Sequence, residues 1–173
     1  MSETGEVVYG VIGPEHAGEV HTLQRAAFVA EARLYGTVEI PPLVETVDEI
    51  RRELASTVTM GAWLGSRLVG TARLTLDGSI GWVSRVAVAP DLQGQGVGSR
   101  LLSTLESAAP PQVRRFQLGA GHKSGDDLAM NERRGYREVS RRVDQAGVEL
   151  VAMGKDRDLK GLPPPTSPGY AAR

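Results

Sequence analysis

The chain has 173 residues, 40% of them apolar, which suits one domain with a sizeable core. Its 20 basic and 21 acidic side chains leave a net charge of −1, so no global basic field exists to gather nucleic acid or anionic lipid. The absence of cysteine excludes disulfides, a covalent cysteine intermediate and Cys-ligated zinc, and no apolar run approaches the ~18 residues of a membrane span.

Met1 to Glu6 is acidic and has neither the basic nor the apolar stretch of a signal peptide, so a cytoplasmic location is expected. Glu6 to Ile12 is a short apolar run between Gly5 and Gly13 and predicts a first strand. Pro14 suits the first turn of a helix. Val20, Leu23, Ala27, Ala30 and Leu34 then recur at helical intervals, predicting a helix to about Arg33. Gly36 to Pro42 reads as a loop, because Pro41-Pro42 disfavours regular structure. Thr46 with Glu49 three residues later is a capping box, followed by Val47, Ile50, Arg51 and Leu54 on one helix face.

Val58 to Leu64 and Leu68 to Leu76 read as strands joined at Gly65-Ser66. Asp77-Gly78 then turns the chain into a third strand, Ile80 to Val88, ended by Pro90. Val97, Leu101, Leu105 and Ala108 mark a helix that Pro110-Pro111 stops, and Val113 to Leu118 is a further strand. Ser124 with Asp127 resembles a second capping box, opening a helix that closes at Gly135. Tyr136 to Val143 and Val148 to Met153 form a last hairpin across Gln145-Ala146-Gly147. The order is β α α β β β α β α β β. Hairpins on both flanks of the βαβα elements predict a mixed sheet in an α+β domain. Residues 1–155 read as that single domain. Residues 156–173, with Pro163-Pro164-Pro165 and Pro168-Gly169, read as a Pro-rich extension outside the core.

The most informative stretch is Val86-Ala87-Val88-Ala89-Pro90-Asp91-Leu92-Gln93-Gly94-Gln95-Gly96-Val97-Gly98-Ser99, where a strand gives way to a helix. Glycine lets the backbone approach a ligand closely, and the first helix amides have no internal acceptor. With the helix dipole they form an anion site suited to a pyrophosphate. A P-loop counted from Gly94 would need its second glycine at position 99 and lysine at 100, but Ser99 and Arg100 stand there. A dinucleotide fingerprint fits Gly94 and Gly96 but needs a third glycine at Ser99, and the acidic residue expected near Leu118 is missing.

The spacing that does fit is Gln-x-x-Gly-x-Gly, at Gln93, Gly96 and Gly98. It resembles the coenzyme A signature of the GNAT acetyltransferase superfamily, and the Val-Ala-Val strand before it and the Ser-Arg-Leu-Leu helix after it extend the likeness. Leu128 to Tyr136 is similar to that family's last helix, which closes on Gly-Phe or Gly-Tyr. With the element order, the resemblance covers roughly residues 6–155. It implies a mixed, mostly antiparallel sheet of about seven strands flanked by four helices and splayed between strands 4 and 5. It also implies direct transfer of an acetyl group from acetyl-CoA to an amine, which agrees with the lack of a cysteine nucleophile.

Carried onto this chain, the resemblance gives Val86, Ala87 and Val88 to pantetheine and the thioester. Gln93, Gly94, Gln95, Gly96, Val97, Gly98 and Ser99 fall to the pyrophosphate, and Asp127 and Asn131 to the cofactor wall. The family's strand-4 glutamate is Trp82 here and its helix tyrosine is Asn131, so the resemblance assigns neither base nor acid. Glu45 and His122 are candidate proton acceptors, and Asn131 is a candidate partner of the sulfur. Glu31, Tyr35, Glu45, Trp82 and Ser84 are candidate residues of the acceptor site, where acidic groups would favour a cationic amine. The expectation is an N-acetyltransferase for a primary amine, first of a small molecule and otherwise of a peptide. It has no metal, nucleic-acid or membrane partner, and a homodimer is an assembly the resemblance allows. The alternative is an acyl-CoA-binding regulatory module of impaired activity, motivated by Trp82, Asp127 and Asn131.

Overall fold

The structure is a computed structural model that describes residues 5–162. Most of the expected Pro-rich extension, residues 163–173, lies outside the described residues, as do residues 1–4. Among those described, the chain forms β1 (Val7–Ile12), α1 (Ala17–Tyr35), α2 (Pro41–Val44), α3 (Val47–Ser56), β2 (Val58–Leu64), β3 (Arg67–Asp77), β4 (Ile80–Val88), α4 (Val97–Ala108), β5 (Arg115–Gly121), α5 (Gly125–Arg133), β6 (Arg137–Val143) and β7 (Glu149–Asp156). Single 3-10 turns precede α1 and α4, at Pro14–His16 and Pro90–Leu92. The seven strands form one sheet in the order β1-β2-β3-β4-β5-β7-β6. Every neighbouring pair is antiparallel except β4 and β5, which the α4 crossover makes parallel. This is the mixed sheet that the hairpins and the βαβα elements imply. No helix among the described residues is long and apolar enough to cross a membrane.

The middle of the sheet is covered on both faces. Leu68 to Leu74 of β3 is buried without a break, where a strand with one wet face would alternate. Gly70 faces α4: a Cβ there would press on Leu101 and Val97. Arg73, on the alternate face, reaches Glu53 of α3. Leu101, Leu102 and Leu105 of α4 and Ile50 of α3 are completely or almost completely buried. The capping box at α3 forms as expected: Glu49 N–H donates to Thr46 Oγ1 at 3.2 Å and Thr46 N–H to Glu49 Oε2 at 2.7 Å.

Several local expectations are corrected. Pro41-Pro42 begins the turn α2 instead of a loop, because a proline at the first helical positions gives up no hydrogen bond. There are accordingly five α-helices among the described residues, not four. Ala108 and Arg51 are exposed; Leu102 joins the buried face of α4 instead, and the C-cap Ala109 is buried just beyond its end. β5 starts at Arg115: the Val113 N–H is spent on Pro110 O at 3.1 Å, so Val113 packs in the core from a turn. Ser124 precedes α5 but makes no side-chain cap. β7 runs past the expected Met153 to Asp156, and Arg157 donates to the carbonyls of Pro110 and Ala109 at 2.7 and 2.9 Å.

Two irregularities position the site. β4 and β5 pair only from Ile80↔Arg115 to Val83↔Leu118. Beyond that, β4 continues along β3 and β5 along β7, so the two strands part. On its other side β4 carries a bulge, since Thr71 faces Ala87 while Arg73 faces Ser84. The extra β4 residue bends the strand. Arg85, inside this bulge, has φ 52° and is the only non-glycine residue among those described with a positive φ.

Candidate active site

The parting of β4 from β5 opens a cavity of about 280 Å³. Trp82, Ser84, Arg85 and Val86 line it from β4, and Leu118 to Gly121 from β5. Phe28 and Glu31 come from α1, and Asp127, Met130 and Asn131 from α5. Arg142 of β6 and Asp144, just after it, also line it, as do Pro41 and Pro42 of α2. The β5-facing edge of residues 84–88 has no strand partner, which leaves it open to an extended ligand arm added like a strand.

That edge leads directly into the glycine loop. Gly94 and Gly96 have φ values of 75° and 85°, and Gly96 is the N-cap of α4. The first intrahelical bond is Arg100 N–H to Gly96 O at 3.0 Å, and no side chain caps the helix. The amides of Val97, Gly98 and Ser99 are therefore free to receive an anion, with the dipole of a 12-residue helix behind them. Ala at 94 or 96 would meet open space, so the loop is not filled by protein. The loop is also braced. Gln93 Nε2 donates to Val88 O at 3.1 Å, Gln95 Nε2 donates to Asp91 O at 3.1 Å, and Arg67 holds the Asp91 carboxylate with two bonds of 2.8 and 2.7 Å. The Gln93 side chain thus shapes the loop instead of reaching out of it. Arg134 Nη1 donates to Ser99 Oγ at 3.3 Å, a cation beside the helix start that the motif spacing gave no reason to name.

The donor set fits coenzyme A. The amides at residues 97–99 suit its pyrophosphate, and the open β4 edge suits its pantetheine arm. Asn131 is 5% exposed, lines the cavity and has a buried Oδ1 with no hydrogen-bond partner. A native fold seldom leaves such an acceptor bare unless a ligand or water completes it.

Six of the expected residues line the cavity: Glu31, Trp82, Ser84, Val86, Asp127 and Asn131. Tyr35, Glu45 and His122 stand behind its wall. Tyr35 Oη accepts from Lys123 N–H at 2.9 Å and packs its ring 5.7 Å from that of His122. His122 Nδ1 lies 3.1 Å from Glu149 O. A carbonyl only accepts, so Nδ1 is the donor in this contact.

The electrostatics divide the carboxylates. Burial pushes the Glu45 carboxyl up, but hydrogen bonds and charge from Arg85, with Gln24 and Arg73, outweigh it and hold Glu45 below the usual glutamate range. Arg85 donates to Glu45 Oε1 from Nε at 3.2 Å and from Nη2 at 2.9 Å, and Gln24 Nε2 donates to Oε2 at 2.7 Å. Glu31 is shifted the other way: burial raises it, Asp127 and Asp144 raise it further, and Arg85 only partly opposes them. Asp127 is open to the cavity, yet loss of water on its protein side and then Asp126 raise its carboxyl as well. Arg85 is the main residue of the cavity wall that sequence reasoning missed. The one available signal was a charged side chain inside the otherwise apolar and small run of β4.

A family model described as an acetyltransferase (GNAT) domain matches residues 35–157. No curated protein matches the chain. Among solved structures, the chain is similar to the ribosomal-protein-S18-alanine N-acetyltransferase of Escherichia coli, at 15% identity and a TM-score of 0.70 over 88% of this chain and 94% of that one. It is similar to yncA of Salmonella typhimurium, solved with its cofactor acetyl-CoA, at 18% identity and 0.68 over 88% and 94%. It also resembles the PaiA N-acetyltransferase of Thermoplasma acidophilum, in complex with coenzyme A, at 12% identity and 0.67 over 87% and 99%.

Proposed function

The chain belongs to the GNAT acetyltransferase family, and on that premise we propose that it moves an acetyl group from acetyl-CoA directly to the primary amine of a small molecule. The observation that carries this reading is the parting of β4 from β5 beyond Val83 and Leu118, immediately before an uncapped helix start. Acetyl-CoA, when bound, supplies the acetyl group as a thioester. Val86, Ala87 and Val88 offer backbone groups to its arm, the amides from Gln93 to Ser99 receive its pyrophosphate, and Asn131 Oδ1 accepts one of its donors. The Val86 N–H serves as the oxyanion donor.

The acceptor side is acidic. Glu31, Asp127 and Asp144 line the cavity against Arg85 and Arg142, which favours an amine arriving as a cation. That amine must lose a proton before it attacks. A carboxylate whose proton affinity is raised takes it better than one held low. Glu31 is therefore the preferred base, with Asp127 beside it, ahead of Glu45 behind Arg85 or His122 behind Gly121. Asn131 cannot supply a proton, so the leaving thiolate is protonated through water. Residues 1–155 act as one catalytic domain.

Incubating purified protein with acetyl-CoA and a panel of amines tests the reading through release of free thiol. Thiol release that depends on an amine supports it. Calorimetric binding of coenzyme A with no amine-dependent thiol would instead support a regulatory module. Absence of both would overturn the cofactor site itself.

A further inference from the structure

The left-handed backbone of Arg85 is costly for a residue with a Cβ, and such strain collects at functional positions. Here the bulge in β4 holds it and brings the guanidinium to Glu45. Glu45 is itself fixed by Gln24 at 2.7 Å and by Arg73 Nη1 at 3.5 Å. Nε and Nη2 of Arg85 are thereby committed, while Nη1 has no partner among the described residues. Arg85 lines the cavity, and its side chain is 24% exposed.

Charge points the same way. The single part-buried Glu45 carboxylate serves two guanidiniums, those of Arg73 and Arg85. The next acid, Glu53, is 3.9 Å from Arg73 Nη1 and half exposed. Arg85 thus keeps positive charge that Glu45 does not cancel. An acceptor that was only an amine would have no use for this group, and Arg85 would repel it. A carboxylate fits it: a singly charged, planar anion matched to a guanidinium edge. A phosphate dianion fits less well, because Glu31, Asp127 and Asp144 share the same small cavity.

We propose that the acceptor is a zwitterionic amine, an amino acid or close analogue, with its carboxylate held at Arg85 and its ammonium toward Glu31 and Asp127. Glu45 is then a positioning residue that aims Arg85. This proposal rests on the acetyltransferase reading and narrows its substrate.

The test compares acceptors in pairs, each amino acid against the amine left when its α-carboxylate is removed, such as lysine with cadaverine and phenylalanine with phenethylamine. In at least one pair the carboxylate-bearing member should have a kcat/KM higher by about tenfold or more. Arg85→Gly keeps the backbone geometry, and it should shrink that preference to about threefold or less through KM; Arg85→Lys should restore part of it. Equal or better use of every decarboxylated amine by the unaltered protein would overturn the proposal and leave acetyl transfer intact, whether or not the variants fold. Thiol release only with acceptors outside these pairs would do the same. No thiol release with any amine would overturn both.

Discussion

Tyr35 Oη occupies the space in which a side chain on Gly121 would begin: a Cβ there would collide with the hydroxyl and lie only 2.7 Å from Tyr35 Cζ. The absent side chain lets α1 close on the end of β5, with the hydroxyl bonded to Lys123 N–H. Gly121→Ala should drive Tyr35 out and cost about 1–3 kcal/mol, as overpacked sites do. Gly10→Ala, with nothing within 4 Å, should stay within about 0.5 kcal/mol of the parent. Denaturant titration of both variants checks the contrast, and equal stabilities would mean that Tyr35 swings aside freely.

The glycine loop allows folding and cofactor binding to be separated. A Cβ on Gly98 would touch Val88 Cγ2 at 3.6 Å and Met130 Sδ at 3.7 Å, ordinary contacts, so Gly98→Ala should fold as well as the parent. It narrows the cradle beneath the free amides, and the affinity for coenzyme A should fall by about tenfold, equivalent to ~1.4 kcal/mol. Gly96→Ala meets open space but must hold φ near 85°, so it should lose about 1 kcal/mol of stability. Calorimetry and thermal melts separate the two effects. Unchanged coenzyme A affinity in Gly98→Ala would sink the pyrophosphate assignment.

What the sequence could reveal follows the range of each signal. The loop from Gln93 to Ser99 was readable because its chemistry is local: glycines, an amide side chain and a helix start within a few residues. The bulge at Arg85 was not, because register belongs to two strands together, and only Thr71↔Ala87 beside Arg73↔Ser84 reveals the extra residue. The state of Glu45 was hidden for the same reason, since its partners Gln24 and Arg85 lie 21 and 40 residues away in the chain. Ser124 and Asp127 have the spacing of a capping box, yet Ser124 makes no cap and Asp127 lines the cavity. Pro41-Pro42 disfavours a helix interior but stands at the first turn of α2, where proline is tolerated.

Glu31 should trade stability against activity. Its folded pKa lies above the ordinary 4.5, chiefly through burial and then through Asp127 and Asp144. Between 4.5 and that raised value the native state binds more protons than the unfolded chain, so its contribution to stability falls as pH rises through this window. Glu31→Gln removes the cost of the ionised form. The variant should melt higher than the parent at neutral pH, with the gap closing as pH falls toward 4.5, while kcat drops by about 100-fold if Glu31 is the base. A melting difference independent of pH would contradict the burial of this carboxyl.

Glu45 should behave in the opposite sense. Burial raises its carboxyl, but the bonds and charges of Arg85, Gln24 and Arg73 prevail and leave it below 4.5. Its contribution is complete above 4.5 and is lost as pH falls through the depressed value. Glu45→Gln keeps the shape but strips the counter-charge from Arg73, 3% exposed, and from Arg85, and should cost about 3 kcal/mol at neutral pH. The deficit should shrink toward the acid end, where the parent also loses the pair. In kinetics, a misaimed Arg85 should raise the acceptor KM more than it lowers kcat, and the acid limb of the kcat/KM profile should stay in place. Glu31→Gln should instead abolish that limb. If the limb disappears in Glu45→Gln and persists in Glu31→Gln, then Glu45 takes the proton, and its pair with Arg85 must open during the reaction.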